Sequence, residues 1–375
     1  MENRQNLKMS GSGSVMGGVY DQVELRGSVE VDGDIDCNSL MINGPVEMDG
    51  NINAKTAEIK GSCEIDGDVE AERLNISQSA EISGAIKGKY VEIIGSCEIG
   101  KGVSSDEVYI RKSAEIGGNV EGKKVEINGS CEIDGDVCGD EIYIFKSAEI
   151  AGEVKGKHTE IMGSCEIDKG VSSDELRISG SVEIGGNVEG KNVEISGSCE
   201  IDGDVVSDDV IINGSVEVDG GIKAKTIKIS GSTEIEEDIS ADDVEISGSV
   251  ELGGNCEAEK FKASGSFEID GLLNADNIYI GVKSECRVKE IGGEKIEIRR
   301  ENRQEGTVVF GVFTGKSRLV TDTIEGDEIY LEAVEADIVR GNNITIGEAC
   351  SIGVVEYKNN IVVLNGSEVD EQRKI

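Results

Sequence analysis

Apolar residues recur in this chain as a fixed phrase of 17 residues. In the unit opening at Gly180 they are Val182, Ile184, Val188, Val193 and Ile195, which occupy slots three, five, nine, fourteen and sixteen when the opening residue is slot one. Within each short run the apolar residues alternate with Glu, Lys or Asp, the period-two pattern of a strand with one face buried and one in water. The opening slot, most often glycine, falls at residue 27 and at every seventeenth residue up to 265, fourteen steps without a slip. Slot four is glutamate in all fifteen units, from Glu30 to Glu268, and slot sixteen is isoleucine in fourteen of them, broken only by Ala263. Self-similarity at one short period predicts a solenoid, in which each unit needs only its neighbours.

The polar slots say where each unit bends. Slot seven is usually glycine (Gly33, Gly67, Gly118, Gly186), slot eleven is small (Ala54, Gly88, Ser105, Gly122), and slots one and two are usually Gly-Ser. Glycine admits positive φ and leaves room where backbone turns inward. Three strand segments separated by three corners predict a triangular coil in an all-β, three-sided parallel β-helix. A single unit buries too little to fold alone, so successive coils must stack, with like slots in columns about 4.8 Å apart. Pro45, the only proline, falls in slot two, where a missing N–H matters least.

Read from end to end, residues 1–6 form a short disordered lead and residues 7–298 a regular β-helix. Residues 299–364 form an irregular C-terminal solenoid or cap, and 365–375 a flexible polar tail. The first coil places Leu7 and Met9 in slots fourteen and sixteen and Val15 and Val19 in slots five and nine. No polar cap is visible before it, so Val15, Met16, Val19 and Tyr20 are expected near an apolar, unpaired end to which another copy can stack. Fifteen regular coils predict a rod of roughly 70 Å. A sixteenth coil, Val282 to Ile298, carries one inserted residue and puts Glu285 and Cys286 in slots four and five. The basic run from Arg299 to Arg303 reads as a corner or as a contact for an acidic neighbour. Thr307 to Phe313 reads as an apolar strand whose Phe310 and Phe313 serve either a private core or an end-to-end contact. Ile361 and Val363 close the last apolar echo and join the candidate assembly surface.

Charge changes the picture on the outside. Lys plus Arg total 37 against 76 acids, a net charge of −39, which repels nucleic acid and anionic lipid. With no tryptophan and no run of eighteen apolar residues, the protein is expected to be soluble and cytoplasmic, peripheral at the inner face of the cell membrane at most. Slot twelve reads Lys55, Glu72, Lys89, Asp106, Lys123, Asp140, Lys157, Asp174, Lys191, Asp208, Lys225, Asp242, an alternation of sign over twelve units. It either pairs charges across stacked coils, at about 0.2–1 kcal/mol a pair, or is inherited from duplication of a two-coil ancestor. Slot four is the reverse: neighbouring glutamates repel by roughly 0.9 kcal/mol in water. They form a solvated face or a docking strip for cations or a basic partner, and salt or mild acid is expected to stabilise the fold.

Chemistry-bearing residues are sparse. Cys63, Cys97, Cys131, Cys165 and Cys199 all occupy slot three in alternate coils, about 9.6 Å apart and beyond disulfide reach, so they read as buried free thiols. His158 is the only histidine, which leaves no His-based triad or His-rich metal site, and no phosphate-binding glycine motif occurs. No cofactor is expected. Asp-Gly-Asp corners such as Asp134–Asp136 and Asp202–Asp204 leave calcium as the metal alternative, although the calcium-solenoid nonapeptide is absent.

The phrase Gly-Ser-Cys-Glu-Ile-Asp-Gly-Asp-Val at 61–69, 129–137 and 197–205 resembles the repeats of the bactofilins. That resemblance implies a right-handed three-sided β-helix that polymerises end to end without nucleotide. It also implies a non-enzymatic scaffold for cell-shape, wall-synthesis, polarity or motility machinery. The chain differs in its larger number of coils and in lacking proline-rich tails, which leaves partners and membrane recruitment open. The alternative is a monomeric, adhesin-like acidic solenoid that binds cations, carbohydrate or a basic partner.

Overall fold

The computed structural model describes residues 4–301 and 317–375. Among them every regular element is a strand, and the chain forms a parallel β-solenoid of about 21 turns with roughly 17 residues per turn. It divides into two compact units, Met1–Gly186 and Asn187–Ile375.

In the first unit each slot pairs with the same slot one coil on. Ile59, Ile76, Ile93, Ile110, Ile127, Ile144, Ile161 and Ile178 are successive partners in one column. All eight are shielded from water, so the core is a stack of aliphatic side chains rather than a globule. The strands pair in parallel because every coil winds the same way past its predecessor. Where the opening slot is glycine the reason is distance. A Cβ at Gly129 would lie 1.6 Å from the carbonyl oxygen of Lys112 one coil below. Gly44 adds a φ of +142°, a conformation that side chains rarely adopt.

A second ladder holds the corners. Asp34 Oδ1 accepts the N–H of Asn51 (2.7 Å), Asn51 Oδ1 that of Asp68 (2.8 Å), and Asp68 Oδ1 that of Ala85 (2.8 Å). Asn119 and Asp136 repeat the pattern toward Asp136 and Glu153, at 3.0 and 2.9 Å. At these corners the slot-eight Asp or Asn supplies an acceptor to a backbone amide of the next coil.

The second unit keeps this plan with more variation. Its coils between Ser198 and Ile246 break into three strands each, as in Ser198–Ile201, Val205–Val206 and Asp209–Ile212, the three segments expected for a triangular coil. The Ala263 gap in the isoleucine column is filled from slot fourteen, where buried Phe261 packs edge-on against Phe267 at 5.9 Å. The column then runs through Ile280, Ile298, Leu331 and Ile346 to Val363.

The coordinates correct four expectations. Pairing slips by one residue between Met16 and Gly18, so Gly18 rather than Val19 sits beside Ile35 in slot nine, and Val19 points outward, 56% exposed. The short first coil takes up its missing residue at this corner, where a Cβ at Gly17 would come within 2.5 Å of Asp34 backbone and only glycine allows so close an approach. In the sixteenth coil Arg287 pairs with Glu268 and Val288 with Ile269, which puts Cys286 in slot three, not five. Arg299 and Arg300 continue the strand Glu285–Arg300 rather than forming a corner. The C-terminal residues expected to fray include a strand, Glu368–Lys374, paired with Ser351–Tyr357. Phe310, Phe313 and the rest of the run Thr307–Phe313 lie outside the described residues, as does Arg303.

Candidate assembly edges and charged faces

Each unit has one terminal coil whose inward slots are incompletely covered. At the N-terminal edge, among the described residues, strand Gln5–Ser10 pairs only with residues 20–26, and residues 13–19 pair only with the coil that follows. Leu7, Met9 and Val15 point inward in slots fourteen, sixteen and five, yet all three are half-buried, whereas Val23, Leu25 and Val31 one coil on are sealed. Met16 stands 68% exposed beside Val19, and Tyr20 donates its hydroxyl hydrogen to the Met16 carbonyl at 3.0 Å.

The C-terminal edge repeats the situation. Strand Glu368–Lys374 covers Ser351–Tyr357, but no described strand covers residues 359–363. Ile361 and Val363 pair with Ile344 and Ile346 in slots fourteen and sixteen. Val363 is 38% exposed where Ile346 is 0%. Val362 and Leu364 extend this exposed apolar run. Leu7 and Met9 belong with the edge residues, and their slot assignments in the sequence already contained that signal.

The outward faces differ sharply from one another. From Glu30 to Glu183 in the first unit, slot-four glutamates pair in register, each exposed beside the next. In the second unit the column runs from Glu200 to Glu268, where Arg287 takes the next position, 3.7 Å from the Glu268 carboxylate. Self-repulsion is felt: Glu200, then Glu234, hold the Glu217 carboxyl above its ordinary 4.5.

Slot twelve carries opposite charges on successive coils, and each resolved pair reaches one coil back. Lys89 Nζ lies 3.2 Å from Glu72, Lys123 2.8 Å from Asp106, Lys157 2.7 Å from Asp140, and Lys225 2.8 Å from Asp208. The hydrogen bond to Asp106 raises the Lys123 pKa most, and Asp140 on the other side adds a smaller Coulomb effect. Lys55, Asp174, Lys191 and Asp242 continue the column in sequence.

The remaining chemistry is absorbed by the fold. The thiols of Cys63 and Cys199 are pushed up to about 12, and those of Cys97, Cys131 and Cys165 to about 11, each chiefly by burial. Such thiols are poor nucleophiles and poor metal ligands. His158 sits between Glu175 (3.0 Å) and Glu160 (3.2 Å). At the Asp-Gly-Asp corners, Asp136 and Asp204 spend an oxygen on the backbone N–H of Glu153 and Gly221. Among the described residues no cluster of three or more His, Cys, Asp or Glu is placed to hold a metal ion. Among them, too, no helix is long and apolar enough to cross a membrane.

A family model described as polymer-forming cytoskeletal, Bactofilin, matches residues 2–87 and 156–257, half of the chain. The chain is 40% identical over 88 residues to the protein YhbF of Bacillus subtilis, covering 24% of this chain and 34% of that one. It is 40% identical over 55 residues to YhbE of the same organism, covering 15% and 23%. The matched stretches thus span about a third or less of these relatives. No solved structure matches.

Proposed function

Because the chain belongs to the bactofilin family of polymer-forming cytoskeletal proteins, which self-assemble as structural elements, we propose that it polymerises through the two open edges described above. The N-terminal edge presents Leu7, Met9, Val15, Met16, Val19 and Tyr20, and the C-terminal edge Ile361, Val363 and Leu364. The observation that carries this reading is the half-open state of slots fourteen and sixteen at both edges. Interior coils seal both positions almost completely. A coil of another copy laid on either edge removes that apolar surface from water and supplies partners to a row of strand N–H and C=O groups. No nucleotide or cofactor enters such a junction. The polymer then acts as a non-catalytic cytoplasmic scaffold for cell-shape, wall-synthesis or motility machinery, its acidic slot-four face offered to basic partners.

Negative-stain microscopy of the full chain at physiological salt tests the reading. Filaments many subunits long are expected for the wild type. Met9→Asp and Val363→Asp are expected to shorten them to single particles while circular dichroism stays unchanged. Isolated particles from the wild type at every concentration would favour the monomeric acidic solenoid instead. Unaltered filaments from both variants would move the junction elsewhere.

A further inference from the structure

One side of the first unit differs from the rest of the surface. Outward slots twelve, thirteen, fifteen and seventeen, on the third strand of the coil, gather Tyr90, Tyr109, Tyr143, Phe145 and His158 beside the slot-twelve charges. Three of the chain's seven tyrosines are here. The rings meet in two groups, Tyr90 with Tyr109 at 5.4 Å, and Tyr143 with Phe145 at 6.0 Å and with His158 at 5.8 Å. Cations sit among them: Arg73 lies 4.0 Å from the Tyr90 centroid, and Lys124 lies 5.8 and 5.4 Å from those of Tyr109 and Tyr143. A shallow groove opens at the centre, lined by Asp106, Tyr109, Lys123, Lys124, Asp140 and Glu141. The slot-twelve lysines bordering it are about two-thirds or more exposed, at 65%, 73% and 71% for Lys89, Lys123 and Lys157.

Charge order decides what fits such a face. The column Glu72, Lys89, Asp106, Lys123, Asp140, Lys157 has an even number of alternating signs, so it is its own complement when reversed. A two-fold axis lying in the face, perpendicular to the column and midway between Asp106 and Lys123, sets Glu72 against Lys157, Lys89 against Asp140, and Asp106 against Lys123 of another copy. The same rotation keeps strip on strip. It brings Lys124 opposite Glu107 in slot thirteen, and Tyr90, Tyr109 and Tyr143 opposite Glu141, Glu126 and Glu92. Each tyrosine is thereby set opposite a carboxylate of the other copy, which for Tyr109 adds to the Glu107 carboxylate that its hydroxyl already reaches at 3.0 Å in its own chain. In slots twelve, thirteen and fifteen of coils 61–162 no acid meets an acid, whereas two copies facing each other with their slot-twelve columns parallel and in register would set every slot-twelve charge against its like. A chain of charge −39 has few faces on which two copies approach without repulsion, and this one is also aromatic, as interface centres are. Sugar stacking fits less well, because Lys124 and Arg73 occupy space over the ring faces.

We infer that this face of the first unit is a lateral contact through which two copies pair side by side, antiparallel, by charge and tyrosine complementarity. This side face is separate from the end edges, so filament length reports the ends and filament width reports the side.

The test uses the full chain in two charge-altered forms. Lys89→Glu, Lys123→Glu and Lys157→Glu together give an all-acidic column; Glu72→Lys, Asp106→Lys and Asp140→Lys give an all-basic one. Paired, double-width filaments are expected from wild type, single-width filaments from either form alone, and double width again when the two forms are mixed. Tyr109→Ser with Tyr143→Ser leaves the ion pairs between successive coils intact and is expected to weaken pairing at least tenfold by sedimentation. Single-width wild-type filaments, pairing that survives in the all-acidic form, or a mixture that stays unpaired would each overturn the contact. So would wild type that stays unpaired yet is retained on a polysaccharide matrix.

Discussion

Ile110 and Val363 occupy the same slot of two different coils, and they differ in one respect. Ile110 has a partner on both sides, Ile93 and Ile127, and is fully shielded, whereas Val363 has Ile346 on one side, no described strand on the other, and is 38% exposed. Burial here is therefore conferred by neighbouring coils rather than by the residue's own coil. In a stack of this kind the ends retain the surface that every interior coil has given up. The sharpest way to break the comparison is to shorten both residues. Ile110→Ala is expected to destabilise the first unit by about 2–5 kcal/mol, since it opens a cavity that its flanking isoleucines cannot close. Val363→Ala is expected to cost under about 0.5 kcal/mol in dilute monomer. Urea denaturation of both variants checks this. A cost at Val363 equal to that at Ile110 would mean that the edge is sealed after all.

Interior position alone does not guarantee a satisfied environment, and slot fourteen shows the exception. Along the first unit it holds Leu74, Val91, Val108, Val125 and Ile142, then Thr159, which is completely buried with a hydroxyl oxygen that has no hydrogen-bond partner. A buried, unpaired hydroxyl costs about 1–3 kcal/mol relative to a paired one. Thr159→Val replaces it with the side chain found two and three coils earlier, so a gain of about 1 kcal/mol is expected in the same denaturation assay. A loss would show that the hydroxyl is satisfied in solution.

Much of this was legible in the sequence because the period does not drift. Seventeen residues per coil place like slots side by side, so the column of isoleucines and the Lys123–Asp106 neighbourhood follow from counting. Counting fails where a residue is gained or lost. One missing residue near Gly17 turned Val19 from an inward to an outward position, since strand faces alternate with period two. The insertion before Cys286 moved that thiol by two slots, which keeps it inward and so left no hydropathy signal. The slot-eight acceptors were not legible for another reason. Asp and Asn at a turn suit a solvated corner, a metal site and an N–H acceptor equally by composition. Only the coordinates show Asp68 Oδ1 2.8 Å from the Ala85 nitrogen. The C-terminal tail looked too polar to be a strand, yet Glu368–Lys374 lies on Ser351–Tyr357 as backbone, a pairing that needs little from its side chains.

The two carboxylate columns provide the finest contrast, because proximity of the next coil acts on them with opposite sign. Asp68 receives an N–H from the coil above, and that bond, more than the nearby Lys101, holds its carboxyl below the ordinary 3.8. A group whose pKa is lowered by folding adds stability above its unfolded value and loses it as pH falls through the folded one. Glu217 receives only the like charges of Glu200 and Glu234, and its carboxyl is held above the ordinary 4.5. Its favourable contribution is complete below 4.5 and is lost as pH rises through the raised value. Stability is therefore expected to gain slightly from Glu217 on mild acidification, and to lose the contribution of Asp68 as pH falls further. Asp68→Asn keeps the acceptor oxygen, as Asn51 does one coil below, and is expected to leave melting near pH 7 unchanged while reducing the loss at low pH. Glu217→Gln is expected to reduce the gain on mild acidification instead. Melting temperatures from pH 3 to pH 8 for the two variants check both signs. A single variant that altered both limbs would show that the columns are coupled rather than separate.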